Sequence, residues 1–74
     1  MNDNKITKRN FDIMIKLAAI YSPKVIAALE SYYVQGYSRE KACSESGLCQ
    51  SYFSISIRKF ELTLLLIKEL NSNE

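Results

Sequence analysis

The apolar residues of this chain recur at helical spacing in successive segments, and short polar breaks separate these segments. The pattern predicts a first helix that starts near Thr7 or Asn10 and runs to about Ile20. A second helix follows the Ser22-Pro23 step, because serine is a good N-cap and proline fits the first helical position. We expect the second helix to end at Gly36, since glycine tolerates the left-handed conformation that often terminates helices.

Two more helices are predicted in the second half of the chain. Ser38 is placed to cap a short third helix, Arg39–Ser46, and Gly47 follows as a turn residue. A fourth helix of about 20 residues starts at position 49 or 50, and no helix breaker occurs before position 71.

The segment from Ser38 to Glu61 has the spacing of a helix-turn-helix. Gly47 provides the tight turn, and the small side chain of Cys43 lets two crossing helices approach closely. The apolar residues on the inner stripe of the second helix of this pair recur at i, i+4 and i+7: Phe53, Ile57 and Phe60.

The predicted fold class is therefore all-α, a four-helix domain that contains a helix-turn-helix and lacks a winged element. Residues 1–74 form one domain, near the lower size limit for a self-sufficient core, and the polar ends, 1–5 and 71–74, are expected to be flexible. A composition that is 47% hydrophobic is generous for so small a domain, which favours self-association.

The outward face of the second helix of the pair combines hydroxyls, an amide, an aliphatic side chain and two cations. These residues are Gln50, Ser51, Tyr52, Ser54, Ile55, Arg58 and Lys59. Such a face suits a DNA groove, because hydroxyls and cations contact phosphates and amides can pair with base edges. The segment is therefore predicted to be a DNA-binding module.

Three cations of the motif are candidates for phosphate contacts. Arg39 begins the first helix of the pair, and its guanidinium fork matches phosphate oxygens; a solvated side chain or a pair with Glu40 or Glu45 is the alternative. Arg58 and Lys59 are assigned the same role, although charged residues on a helix often form only its hydrated side.

The other outward residues have several possible partners. Gln50 could pair with an adenine edge and Ser51 with a phosphate, since the start of this helix usually points into the groove. Tyr52 could stack on DNA or lie half-buried at the helix junction. Ile55 could meet a thymine methyl, wedge into a groove or contact a partner subunit.

Neither cysteine indicates a metal or cofactor site. Cys43 is expected to be a buried packing residue, and a redox role is the weaker alternative because a buried thiol is a poor thiolate. Cys49 is expected to be more exposed. The chain contains no histidine and no other cysteine, which argues against zinc, and no cofactor or small-molecule ligand is predicted.

The end of the fourth helix is apolar on more than one face, as is the first helix. Packing of these helices against each other and an interface between subunits are both expected, because such a helix needs more than one partner. The residues that we assign to the subunit interface are Met14, Leu17, Leu65 and Leu66.

The remaining features limit the class of protein. The formal charge of +2 is mildly basic and leaves nucleic acid open as a partner. The first ten residues are polar and mixed in charge, unlike an export signal, and no apolar run is long enough to span a membrane. A cytoplasmic protein without membrane partners is therefore expected. An enzyme is not expected, because histidines, glycine-rich phosphate loops and paired carboxylates are missing.

The segment SYYVQGYSREKACSESGLCQSYFSISIRKF resembles the PapB-like adhesin-biosynthesis (fimbrial) transcription regulators. The similarity lies in an aromatic-rich helix, a G-x-S-R-x-x-x-C step and a YFS triplet. In this chain the step runs from Gly36 through Ser38 and Arg39 to Cys43, and the triplet is 52–54. The resemblance extends over roughly residues 11–66.

This resemblance implies a bacterial regulator of a fimbrial or adhesin operon that binds AT-rich promoter repeats cooperatively as an oligomer. It ties Arg39 and Cys43 to DNA binding, and it is associated with minor-groove contact and with both activation and repression. The protein would be nucleoid-associated when bound to double-stranded DNA. The alternative is a small helical interaction module that modulates another regulator without binding DNA.

Overall fold

The computed structural model describes residues 6–72 and contains four helices in that range. They are α1 (Lys8–Leu17), α2 (Pro23–Tyr33), α3 (Arg39–Ser46) and α4 (Gln50–Ser72). The described residues form no strand, so the all-α prediction is confirmed, and no winged element occurs within this range. The ends predicted to be flexible at 1–5 and 73–74 lie outside the described residues, whereas 71 and 72 belong to α4.

Three hydroxyl side chains start the first three helices. The Oγ1 of Thr7 accepts a hydrogen bond from the backbone N–H of Asn10 at 3.2 Å. The Oγ of Ser22 accepts one from Val25 at 3.5 Å, and the Oγ of Ser38 accepts one from Lys41 at 3.2 Å. Each cap satisfies a helix N–H that has no partner within the helix, which confirms the predicted starts at Ser22 and Ser38.

α1 ends at Leu17, so the predicted extension to Ile20 was wrong. The N–H of Ala19 donates to the carbonyl of Lys16 at 3.1 Å, and that of Ile20 to Ile15 at 3.2 Å. This pair of bonds is a Schellman motif, with Ala19 in the left-handed region at φ 57°. The hydrophobic pattern does not indicate this helix end, because the apolar Ile20 is still buried after the turn.

α2 also ends earlier than predicted, at Tyr33 instead of Gly36. The N–H groups of Val34 and Gln35 both donate to the carbonyl of Glu30, which closes the last turn. Gly36 has a φ of 81° and lies in the connection to α3. The glycine therefore serves the loop, and the helix stops before it.

An aromatic cluster joins α1, α2 and α4. The ring of Phe60 lies 4.6 Å from that of Tyr33 and 5.6 Å from that of Phe11, measured between centroids. Each of these rings is almost completely buried. The hydroxyl of Tyr33 donates a hydrogen bond to a carboxylate oxygen of Glu61, so its one polar group is paired. The three rings attach the middle of α4 to α1 and α2.

The C-terminal half of α4 is only partly covered by α1. Leu64 and Ile67 are half-buried against the core, as the predicted packing of the two helices requires. The remaining leucines of this half are exposed: Leu62, Leu65, Leu66 and Leu70. No helix within residues 6–72 is long and apolar enough to cross a membrane.

Ala19→Gly is expected to stabilise the fold by roughly 0.5–1 kcal/mol, because glycine removes the strain of a left-handed alanine. Urea unfolding followed by circular dichroism measures the change. Ala27→Gly, at an exposed position inside α2, is the matched control and should destabilise by roughly the same amount. A loss of stability in Ala19→Gly would contradict the assigned conformation.

Tyr33 makes stability sensitive to alkaline pH. Burial, and then the hydrogen bond and charge of Glu61, raise the pKa of Tyr33 well above its ordinary value. The unfolded tyrosine ionises near pH 10, so the stability that this group contributes is complete below about pH 10 and falls at higher pH.

Tyr33→Phe is expected to lower the free energy of unfolding by roughly 1–2 kcal/mol at neutral pH, because the bond to Glu61 is lost. The difference from the parent chain should shrink above about pH 10. There Tyr33 ionises in the unfolded parent, which lowers the parent's free energy of unfolding, whereas phenylalanine does not ionise. Urea titrations from pH 7 to 11 measure it. Tyr21→Phe, on a ring that is mostly in solvent, should show neither effect, and a pH-independent difference for Tyr33→Phe would contradict this account.

Candidate nucleic-acid interface

The turn between α3 and α4 is built around Gly47. This residue has φ 77° and ψ 15°, and its N–H and that of Leu48 both donate to the carbonyl of Cys43, at 2.9 and 3.2 Å. A Cβ added at Gly47 would meet no heavy atom within 4 Å. The position therefore requires glycine for its backbone conformation and not for lack of space.

Cys43 lies in the interior beside this turn, as predicted, and Cys49 is exposed. Burial is the main reason that the pKa of the Cys43 thiol is raised, and Cys49 contributes further. A thiol held in its neutral form is a weak nucleophile, which fits a packing role. Within residues 6–72, no three His, Cys, Asp or Glu side chains are grouped in a way that could hold a metal ion.

The inner face of α4 holds the helix in place. Phe53, Ile57 and Phe60 are buried, which confirms the predicted stripe. Phe53 meets Tyr32 of α2 edge-on, with centroids 6.0 Å apart and planes at 85°. Ser56 is also buried, and its hydroxyl donates to the carbonyl of Tyr52 at 3.0 Å. A small, internally bonded serine lets this face approach the neighbouring helices closely.

The outer face of the first half of α4 carries the predicted DNA-contacting residues. All of them are exposed: Gln50, Ser51, Tyr52, Ser54, Ile55, Arg58 and Lys59. No acidic residue occurs in the sequence between Glu45 and Glu61, and Glu61 is engaged by Tyr33. The face therefore has a positive charge that its own helix does not neutralise.

Arg39 lies at the first position of α3, with its side chain exposed. In the part of the chain that the structure describes, it forms no ion pair with Glu40 or Glu45. Its positive charge offsets only a small part of the rise in the pKa of Tyr33 and of Cys43, and both pKa values stay above their ordinary values. An arginine without a carboxylate partner remains available to an external anion.

A groove beside this face contains a residue that the helical spacing did not single out. Tyr21 and Ser22 from the α1–α2 connection form one wall, and Tyr52, Ile55 and Lys59 from α4 form the other. Tyr21 is 81% exposed and Tyr52 is 49% exposed. The only sequence signal was an aromatic residue directly before a serine cap, a position from which it usually packs back onto the helix.

The residues assigned to a subunit interface do not all lie at the surface. Leu17, Leu65 and Leu66 are exposed, but Met14 is 5% exposed and belongs to the core of the subunit itself. The assignment of Met14 to the interface is therefore corrected. Periodicity could not separate these residues, because both the inner and the outer side of α1 are apolar.

A family model described as PapB, adhesin biosynthesis transcription regulatory protein, matches residues 1–72. Regulatory protein FanB of Escherichia coli is 36% identical over 61 residues, which cover 82% of this chain and 62% of FanB. The F1845 adhesin operon regulatory protein of Escherichia coli is 33% identical over 57 residues, covering 77% of this chain and 67% of that protein.

The crystal structure of E. coli FocB has the same arrangement of helices, with a TM-score of 0.89 at 26% identity. The similarity covers 95% of this chain and 80% of that chain. The match of the family model to nearly the whole length shows that the chain belongs to the adhesin biosynthesis transcription regulatory proteins, a family of regulators and not of enzymes.

Proposed function

We propose that this chain is a DNA-binding regulator of transcription that acts on a bacterial fimbrial or adhesin operon. The proposal rests on family membership and on one structural observation, the outer face of α4. Seven exposed polar, aromatic and aliphatic residues lie on a helix that is firmly held by its buried inner face. The protein acts in the cytoplasm and associates with the nucleoid when it binds double-stranded DNA.

The contacts follow from the chemistry of each side chain. Arg39, Arg58 and Lys59 pair with phosphates, and Ser51 and Ser54 add hydroxyl contacts to the backbone. Gln50, at the start of α4, is the candidate for a base edge. Cys43 and Gly47, with the inner residues of α4, act indirectly because they set the position and angle of this helix.

AT-rich promoter repeats are the proposed target. Tyr52 and Ile55 are exposed on the DNA-facing side, although a large aromatic or aliphatic side chain gains little from water. Such residues can meet thymine methyls or enter between base steps, and deformation of this kind is easiest in flexible, TA-containing sequences.

Self-association is proposed through the exposed apolar surface between α1 and the end of α4. Leu17, Thr63, Leu66, Ile67 and Leu70 line a shallow groove there, and none of the described residues that line it is charged. A second copy of the chain offers a surface of the same apolar character, so that pairing would bury leucines that one subunit leaves in water. Linked subunits on repeated sites bind cooperatively, since the second contact is made at high local concentration.

The same apolar groove is the observation that favours the alternative, a helical module that modulates another regulator without binding DNA. That function would not require an outer face of α4 rich in cations and hydroxyls. DNA binding therefore decides between the two proposals.

A gel shift with an AT-rich promoter duplex tests DNA binding directly. Affinity should fall steeply with salt, with a slope of about −0.9 per neutralised phosphate. Arg58→Ala is expected to weaken binding and to flatten that slope by about 0.9, because one phosphate contact is lost. Arg9→Ala is the matched control; it removes an exposed arginine at the start of α1 and should leave the slope unchanged.

Failure of the folded protein to bind any AT-rich duplex would refute DNA binding and support the interaction module. If the affinity of Arg58→Ala has the same salt dependence as that of the parent chain, Arg58 makes no phosphate contact, and the rest of the proposal stands.

Leu66→Lys is expected to reduce self-association, since it places a charge in the apolar groove. The side chain is 56% exposed, so the fold should tolerate the change. Sedimentation equilibrium measures the association constant. Ser44→Lys, at an exposed position on α3, introduces the same charge elsewhere and should have no effect. A parent chain that is strictly monomeric, and that occupies repeated sites independently, would contradict the oligomeric proposal.

A further inference from the structure

The most exposed aromatic residue of the described chain lies beside the proposed DNA-binding face. Tyr21 is 81% exposed, and it shares a groove with Tyr52, Ile55 and Lys59 of α4. A hydrophobic residue before a serine cap often packs onto its own helix, but Tyr21 leaves most of its surface in solvent.

The backbone on both sides of Tyr21 is fixed. The Schellman motif at Ala19 and Ile20 precedes it, and Ser22, which caps α2, follows it. Ile20 is buried, so the chain is anchored to the core one residue before the tyrosine. Ala19 keeps a left-handed conformation that is unfavourable for alanine. Strain of this kind is retained where the surrounding structure enforces a particular geometry.

The groove has the chemistry of a site for a sugar–phosphate chain. Among the described residues, no acidic side chain lines it, and Lys59 provides a cation at its α4 wall. Lys24 is exposed and lies in the sequence between Ser22 and Val25, which both line the groove. The exposed ring of Tyr21 offers a flat apolar surface for the C–H face of a deoxyribose.

We propose that this groove holds the sugar–phosphate backbone of one DNA strand, with a deoxyribose against the ring of Tyr21 and a phosphate on Lys59. The inference rests on the proposed DNA-binding function and extends it to the α1–α2 connection, outside the helix-turn-helix. A contact from this connection fixes the angle of α4 relative to the duplex. Because it touches only the backbone, it contributes affinity without sequence preference.

Tyr21→Ala tests the groove, and Tyr21→Phe is the matched control that keeps the ring. Binding is measured on two short duplexes, each long enough for one site: an AT-rich promoter site and a scrambled sequence. Tyr21→Ala is expected to weaken binding to both duplexes by the same factor, about 5- to 10-fold, with an unchanged salt slope. Tyr21→Phe should bind within about 2-fold of the parent chain.

Lys59→Ala should weaken binding with a slope flattened by about 0.9, which separates the phosphate contact from the ring contact. Urea unfolding of each variant checks the fold, and the high exposure of Tyr21 predicts only a small change in stability.

The groove assignment is overturned if the parent chain binds DNA and Tyr21→Ala binds equally well. It is also overturned if the loss is confined to the AT-rich site, since that would indicate contact with bases. Failure of the parent chain to bind either duplex contradicts both this inference and the proposed function. The two proposals can therefore fail separately.

Discussion

The packing of Phe60 against Tyr33 and Phe11 is the contact on which the rest of the structure depends. Phe60 lies in the middle of α4, so a single buried ring fixes this helix relative to both α1 and α2. Burial of aromatic rings contributes strongly to a small core, and the tilted arrangement limits the angles that the helices can adopt. The hydrogen bond from Tyr33 to Glu61 then pairs the Tyr33 hydroxyl, the one polar group of these three rings.

This attachment point divides α4 into two halves with different surfaces. Before Phe60, the outer face carries hydroxyls, an amide and two cations; beyond Glu61, it carries exposed leucines. Most of the proposed DNA contacts and most of the proposed subunit contacts therefore lie on one continuous helix. Because a helix is stiff over this length, the position of a partner subunit would determine the spacing between two DNA-contacting faces.

Much of the fold and of the candidate DNA-binding face could be predicted from the sequence, because local rules govern them. The caps at Ser22 and Ser38, the turn at Gly47 and the buried stripe of α4 follow from backbone chemistry and helical spacing. The ends of α1 and α2 were misplaced for a different reason. The chain continues to bury apolar residues after each helix stops, so the hydrophobic pattern does not change at Leu17 or Tyr33, where the helices end.

The sequence by itself determined the helices, the inner and outer faces of α4 and the family, since each depends on neighbours within a few turns or on the pattern of residue types. The tertiary structure decided which apolar residues of α1 and α4 remain exposed, and it moved Met14 from a proposed interface into the core. It also placed Tyr21 beside Tyr52 and Lys59. These outcomes depend on how helices cross, and residues distant in the chain become neighbours only when the aromatic cluster has set those crossings.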